Sequence, residues 1–133
     1  MTLRGLSPDF DENRNDLVIE MQEASAILLE EKGYVSFVDV LMRMGRLTKE
    51  DHDAWRFGKT SCLERVITVN LAKINHLLRA FKQHAQAGGL RPSKTVYLSW
   101  GKGQKRQLRF SKSGMPNIEE AYATHFLKPG EGE

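Results

Sequence analysis

A regular apolar spacing in the middle of the chain most constrains what this sequence can fold into. Apolar side chains recur there in steps of four and three residues, which places them on one face of an α-helix. The stripe consists of Leu63, Ile67, Leu71, Ile74, Leu78, Phe81 and Ala85. Ser61-Cys-Leu-Glu64 has the form of a capping box, and Gly88-Gly89 follows the last apolar position. We therefore predict one long helix that begins after Ser61 and ends at Gly88.

Three shorter helices are predicted before the long one. Residues 15–32 carry an apolar stripe with helical spacing and precede a glycine, a suitable stop. Ser36 is placed to cap a second helix, which ends at Gly45. Thr48 is placed to cap a third helix over residues 49–57.

The second and third helices look superficially like a helix-turn-helix. In such a motif the second helix enters the DNA groove. Here that helix opens with Glu50, Asp51 and Asp53, whose carboxylates would repel phosphates. The same carboxylates suit the positive end of the helix dipole. We therefore interpret the helix pair as scaffold and expect any recognition to come from another element.

Two β-strands are predicted after the long helix. Thr95-Val-Tyr-Leu-Ser-Trp100 and Arg106-Gln-Leu-Arg-Phe110 flank Gly101-Lys-Gly-Gln-Lys105, which favours a two-stranded antiparallel hairpin with a glycine-rich tip. The side chains predicted to face the core are Val96, Leu98, Trp100, Leu108 and Phe110. Those predicted to face outward are Thr95, Tyr97, Ser99, Lys105, Gln107, Arg109 and Ser111. Arg91-Pro-Ser93 is interpreted as a linker, and a last helix is predicted over residues 117–126.

The charges of the chain are segregated. Between residues 65 and 118 there are eleven lysines and arginines and no Asp or Glu. Residues 1–54 carry six Lys/Arg against twelve Asp/Glu, whereas residues 55–133 carry fourteen against five. Such asymmetry has two interpretations. Either the basic half faces a polyanion, or the two halves neutralise each other within the fold or across a dimer.

Length and composition favour one folded, cytoplasmic domain. The chain has 133 residues, of which 40% are hydrophobic, enough for a core. It begins without a secretory apolar region, has no run approaching the roughly 18 apolar residues of a membrane span, and contains one cysteine, Cys62. We expect residues 15–127 to form a single α+β domain between a flexible arm (1–14) and a flexible tail (128–133). Helices followed by a basic hairpin indicate a winged-helix-like arrangement.

Nucleic-acid binding, in a regulatory role, is the function that this arrangement favours. Lysines and arginines on an outward face can neutralise phosphates, and Tyr97 could stack on an unpaired base. The predicted contact residues are Arg79, Lys82, Lys94, Tyr97, Lys102, Lys105, Arg106, Arg109 and Lys112. No set of side chains is placed to read base edges, so any binding is expected to be weakly specific for sequence. DNA and RNA both stay open as ligands. The alternative is a protein–protein interaction module or homodimer that uses the same residues without nucleic acid.

An enzymatic role is less favoured. Asp51-His52-Asp53 are successive helical residues that point in different directions, so they cannot chelate one metal ion together. Glu119 and Glu120 lie six and five residues from His125, off its helical face. Neither set matches a His-Glu-x-x-His metal site. We therefore predict no catalytic residues, no metal and no cofactor.

Five short motifs stand out along the chain. They are Trp55-Arg-Phe-Gly58, Leu63-Glu-Arg-Val66, Trp100-Gly-Lys-Gly103, Leu108-Arg-Phe-Ser-Lys-Ser-Gly114 and Ile118-Glu-Glu-Ala-Tyr-Ala-Thr-His125. Together they resemble a family of small uncharacterised bacterial proteins, over most of the chain beyond about residue 30. The resemblance implies a bacterial, cytoplasmic protein and no particular activity. The polar end of the last motif, Ala123-Thr-His125, is expected to contact the hairpin.

Overall fold

The structure, a computed structural model, describes residues 14–129, which fold into five α-helices and a three-stranded antiparallel sheet. The helices are α1 (Arg14–Lys32), α2 (Phe37–Arg43), α3 (Lys49–Arg56), α4 (Leu71–Ala87) and α5 (Pro116–Ala123). The strands are β1 (Tyr34–Val35), β2 (Arg91–Lys94) and β3 (Thr124–Leu127), and a 3-10 turn spans Leu63–Arg65. The predicted α+β class is confirmed. The predicted flexible arm and tail lie outside the described residues, apart from Arg14, Lys128 and Pro129.

The core forms where α1 packs against α4. The predicted stripe of α1 is buried, and it consists of Leu17, Met21, Ala24 and Leu28. The buried side chains of α4 are Ile74, Leu77, Leu78, Phe81 and Ala85. Phe37 of α2, Trp55 of α3 and Tyr122 of α5 complete this core and are fully buried. Each side chain of this size contributes on the order of 2 kcal/mol to folding when it leaves water.

The long helix begins at Leu71, well after the capping-box sequence. Asn70 is its N-cap, and the side-chain oxygen of Asn70 accepts a hydrogen bond from Lys73 N at 3.0 Å. Cys62 precedes the 3-10 turn and makes no side-chain capping bond. The prediction of one continuous helix was wrong because all four residues from 66 to 69 are β-branched. Such residues lose side-chain freedom in a helix.

The sheet has β3 at its centre, with β1 and β2 antiparallel on either side. The last helix was predicted over residues 117–126, but α5 ends at Ala123 and the chain continues as β3. At this transition Thr124 Oγ1 donates to Glu120 O at 2.8 Å. The predicted linker after α4 is instead the edge strand β2, where Pro92 is tolerated because an edge position does not need every N–H.

The predicted hairpin is reduced to one isolated antiparallel bridge, between Leu98 and Gln107. Leu108 N donates to Tyr97 O at 2.8 Å beside this bridge. The two segments are otherwise extended without regular strand pairing. We call residues 95–110 the arm.

In the first half of the arm, the side chains that face the core are the ones that were predicted to face outward. Its exposed side chains are Val96, Leu98 and Trp100, and its inward-facing ones are Tyr97 and Ser99. The bridge explains this difference, because it places Tyr97, and not Leu98, on the same face as Leu108. A register shift of one residue exchanges the two faces of a strand. The second half follows the prediction at Leu108 and Phe110, which are buried, and at Arg109, which is exposed. Ser111, predicted to face outward, is buried.

Candidate nucleic-acid interface

The tip of the arm is Gly101-Lys-Gly-Gln-Lys-Arg-Gln107, and every one of these residues is exposed. Gly101 and Gly103 have φ angles of 100° and 94°, a region that glycine adopts without strain. The tip carries three cationic side chains and no carboxylate. It therefore presents a continuous stretch of positive charge to solvent.

Two of the tip cations are held in place by the backbone. Lys105 Nζ donates to Gly101 O at 2.7 Å and closes the tip. The guanidinium of Arg106 lies against Gly58, so closely that a Cβ at position 58 would meet Arg106 Nη2 at 2.5 Å. Lys102 lies exposed between the two glycines. The tip is thus anchored beside the end of α3.

Arg109 braces the turn that follows the arm. Its Nε donates to Ser111 O at 2.8 Å, and its Nη2 donates to Lys112 O. The same guanidinium packs against Gly114, where a Cβ would lie 3.1 Å from Arg109 Cζ. The Lys112 side chain is exposed. The Arg109 guanidinium, which the sequence prediction had assigned to phosphate, thus donates to backbone carbonyl oxygens of this turn.

Arg79 and Lys82 lie on α4 and Lys94 lies on β2, outside the tip. Lys94 Nζ makes an ion pair with Glu120 Oε2 at 2.6 Å, and this hydrogen bond raises the pKa of Lys94 and lowers that of Glu120. Lys82 and Lys94 line the same cleft of 350 Å³ between α4, β2 and α5. The predicted contact residues therefore form two groups, and Glu120 partly neutralises the second.

Tyr97 does not lie on the outer face, and that part of the prediction was wrong. Its ring packs against Trp55 and Phe110, with centroids 5.7 Å and 5.1 Å away. Its hydroxyl lies 2.8 Å from Nε2 of His125. Burial raises the pKa of Tyr97 to about 12. The ring is thus committed to internal packing and is not available to stack on a base.

A different aromatic pair is exposed beside the tip. Trp100 and Phe57 are 40% and 49% exposed, and their rings meet edge to face with centroids 5.6 Å apart. Trp100 N donates to Arg56 O at 2.7 Å, which ties the arm to the end of α3. Sequence reasoning missed this pair. The two motifs that contain it are separated by more than forty residues, and nothing in their spacing indicates contact.

Arg56 packs against Trp100 of this pair. Its guanidinium is 4.7 Å from the ring centroid of Trp100 and 5.1 Å from that of Tyr97, the geometry of cation–π contacts. Burial lowers the pKa of Arg56. Arg56 Nε and Thr60 Oγ1 are buried without a hydrogen-bond partner among residues 14–129. A partly desolvated positive charge thus faces aromatic rings, which compensate it less than a carboxylate does.

Two carboxylates fix the backbone at the base of the arm. Phe110 N and Ser111 N donate to the Glu119 carboxylate at 3.0 Å and 2.7 Å, and Lys112 N donates to Glu64 Oε1 at 2.8 Å. The buried Tyr122 hydroxyl donates to Glu64 Oε2 at 2.8 Å. Glu64 was predicted to cap a helix. It is instead a buried acceptor that holds three successive residues in place together with Glu119.

Several carboxylates of the acidic half pair with cations of the same half. These ion pairs are Lys32–Asp39 at 3.2 Å, Arg43–Glu31 at 3.8 Å, Arg46–Glu20 at 3.5 Å and Lys49–Asp53 at 2.7 Å. Each pair joins two residues within 14–54. The acidic half is therefore neutralised in part by its own lysines and arginines, which leaves fewer of its carboxylates for the basic half.

Residues 14–129 contain no group of three or more His, Cys, Asp or Glu side chains that could hold a metal ion. In Asp51-His52-Asp53, the His52 Nδ1 contacts Asp53 Oδ1 at 2.8 Å, and Lys49 and His52 together lower the pKa of Asp53. Within the same residues, no helix has the length and apolar character needed to cross a bilayer.

Comparison of the chain with models of protein families, with curated proteins and with solved structures found no match.

Proposed function

We propose that this protein binds nucleic acid through the tip of the arm, in a regulatory role. The observation that carries the proposal is the tip itself, in which seven consecutive residues are exposed and the only charged ones are Lys102, Lys105 and Arg106. An acid-free, exposed segment of this kind attracts a polyanion. The arm then acts as a wing does in winged-helix proteins. The free buried Cys62 and the motif resemblance support a bacterial cytoplasm as the compartment.

The binding should be strongly salt-dependent. Each phosphate that a lysine or arginine neutralises releases condensed counterion, with a log-affinity slope of about −0.7 per contact on single strands and about −0.9 on duplex DNA. Three contacts from the tip predict a slope of roughly −2 to −3. Arg79, Lys82 and Lys112 would steepen it if the strand continues across α4 or the turn after the arm.

The test is a fluorescence-anisotropy titration of labelled single-stranded DNA, single-stranded RNA and duplex DNA at low salt, repeated with added salt. The variant Lys102→Glu with Lys105→Glu should abolish binding, because both side chains are exposed and the change reverses the charge of the tip. Lys105→Ala is measured in parallel, because it loses the bond from Lys105 Nζ to Gly101 O without placing a negative charge in the tip. Arg109 is left in place, since it braces the turn that follows the arm. The control is Arg14→Glu with Arg43→Glu, which changes the net charge equally at exposed positions of α1 and α2. Unaltered binding by the tip variant would refute the proposal.

A protein–protein interaction module, as a homodimer or with an acidic partner, is the second candidate. It is favoured by the apolar outer face of the arm, where Val96 and Leu98 are 62% and 44% exposed. Contiguous exposed apolar surface is typical of interaction sites. For this candidate we expect no binding of labelled DNA or RNA at low salt. The molar mass in solution, measured by light scattering, would then show whether the partner is a second copy.

A further inference from the structure

A second group of side chains lies beside the cationic tip. It consists of Trp100, Phe57 and Arg56, and we call these three residues the aromatic shelf. Trp100 remains 40% exposed although His52, Phe57 and Arg56 all contact its ring. Phe57 is 49% exposed at the end of α3. Two large aromatic side chains thus stay open to solvent at one place, immediately beside the cationic tip.

The backbone holds the shelf in a fixed position. Trp100 N donates to Arg56 O at 2.7 Å. Gly101 follows directly and lies beside Phe57, where a Cβ would be in ordinary van der Waals contact with the ring, at 3.5 Å. On the other side, the Arg106 guanidinium lies over Gly58. The shelf and the tip are therefore one preorganised surface, and ligand binding need not order it first.

The chemistry of the shelf points to a ligand with a flat apolar part and a negative charge next to it. Aromatic side chains bind planar rings by stacking, with little dependence on the identity of the ring. Arg56 supplies a positive charge that is partly removed from water, and its contacts within residues 14–129 include three aromatic rings. Arg56 Nε has no hydrogen-bond partner there. An anion on the ligand would compensate this charge.

We propose that the aromatic shelf stacks an unpaired nucleobase while Arg56 and the tip cations bind the adjoining phosphates, so that the ligand is a single strand of DNA or RNA and not a duplex. This inference rests on the proposed nucleic-acid binding and narrows it. In a duplex both faces of each base are already stacked on neighbours, so an aromatic side chain gains no access to them. In a single strand the bases can be splayed out onto such a surface.

The test compares the affinities for three nucleic-acid ligands of equal length, about 12 nucleotides. The first is a homopolymer with all its bases, made as DNA and as RNA. The second is an abasic strand with the same number of phosphates, and the third is a duplex. Because the first and second strands carry the same number of phosphates, the difference between their affinities isolates the contribution of the bases. We expect the strand with bases to bind about 5- to 100-fold more tightly than the abasic strand.

Trp100→Ala should lower the affinity for the strand with bases to that for the abasic strand and leave the abasic affinity unchanged. Trp100→Phe should restore most of the difference, which separates stacking from a loss of folding. Ile19→Ala is the matched control, since Ile19 is 53% exposed on α1 and its truncation also removes an exposed apolar side chain. Tryptophan emission gives a second readout. Trp55 is fully buried, so quenching on binding reports Trp100.

The outcomes distinguish the two proposals. Equal binding of abasic and normal strands, or tighter binding of the duplex, overturns the stacking inference and leaves the nucleic-acid proposal in place. Failure of every strand to bind at low salt overturns both. Binding of polyglutamate that is as tight as that of the strand with bases, and that Trp100→Ala weakens equally, overturns the inference in favour of an acidic protein partner. Base-dependent binding that is lost in Trp100→Ala, together with quenched emission, supports it.

Discussion

The hydroxyl of Tyr97 lies 2.8 Å from Nε2 of His125, and this contact joins the arm to the central strand of the sheet. The imidazole of His125 also stacks on Tyr34 of β1, with ring centroids 5.4 Å apart and an angle of 13° between the planes. One histidine therefore contacts both an edge strand and the arm. The contact that the sequence led us to expect between Ala123-Thr-His125 and the hairpin is present. It is made by His125 and by Ala123 O, which accepts from Thr95 N at 3.2 Å and from Thr95 Oγ1 at 2.6 Å.

Stability at mildly acidic pH should depend on His125. Burial lowers the pKa of His125 from its usual 6.5, while Asp39 raises it and Lys32 lowers it further. In the window below pH 6.5, the unfolded chain binds a proton that the folded protein does not yet bind. The free energy of unfolding therefore falls as the pH falls through this window. Urea unfolding between about pH 7.5 and pH 5 should show a shallower decline for His125→Asn than for the wild type.

His76→Asn is the matched control for this measurement, because it removes a histidine of α4 and leaves the contact between Tyr97 and His125 intact. We expect the free energy of unfolding of this variant to fall with pH as it does in the wild type. If His125→Asn also follows the wild type, another group is responsible for the proton uptake.

Tyr97→Phe should separate the hydroxyl from the ring. The ring contacts with Trp55 and Phe110 stay, and the hydrogen bond to His125 is lost. We expect the free energy of unfolding to drop by about 1 kcal/mol at neutral pH. The pKa of Tyr97 is about 12, against the ordinary 10.0. The contribution of this raised pKa to the free energy of unfolding is therefore fully present below pH 10 and is progressively lost as the pH rises towards 12. Urea unfolding near pH 11 should show this alkaline loss in the wild type and a smaller one in Tyr97→Phe.

The fold could be predicted from the sequence wherever local signals decide it. Ser36 and Thr48 cap their helices as expected, and their hydroxyls accept hydrogen bonds from the backbone N–H groups of Asp39 and Asp51 at 3.1 Å. The sheet could not be predicted. Residues 124–127 form a strand only because two strands from distant parts of the chain, β1 and β2, pair with them. Strand preference depends on such neighbours more than on the residues themselves.

The candidate site, too, could be predicted from the sequence only in part. The tip cations were predicted, because charge composition can be read directly from the sequence. The aromatic partner was not, because alternation places Tyr97 and Trp100 on opposite faces and only the register decides which face is exposed. The bridge between Leu98 and Gln107 settles that register. A long-range contact of Trp100 with Phe57 then completes the site, and no local pattern signals it.

The buried carboxylate of Glu64 should be among the most costly groups to remove outside the apolar core. Glu64→Ala leaves Lys112 N and the Tyr122 hydroxyl without their acceptor in a buried place. We expect a loss of about 3 kcal/mol in the free energy of unfolding, measured in urea. Tyr122→Phe removes one of the two donors and keeps the ring in the core, so it should cost about 1 kcal/mol. A loss below that of Tyr122→Phe would show that Glu64 does not organise the base of the arm.

The start of α4 offers a direct comparison of two capping signals. Asn70 accepts a hydrogen bond from Lys73 N, whereas Ser61, the first residue of the capping-box sequence, accepts one from Arg65 Nε at 2.6 Å on the surface. Asn70→Ala should therefore lower the free energy of unfolding by about 1 kcal/mol, the usual worth of an N-cap. Ser61→Ala removes an exposed side-chain contact and should stay within about 0.5 kcal/mol of the wild type. Urea unfolding of both variants under one set of conditions gives the comparison. The reverse order of the two losses would place the start of the helix at the capping box, and α4 would then include the β-branched residues 66–69.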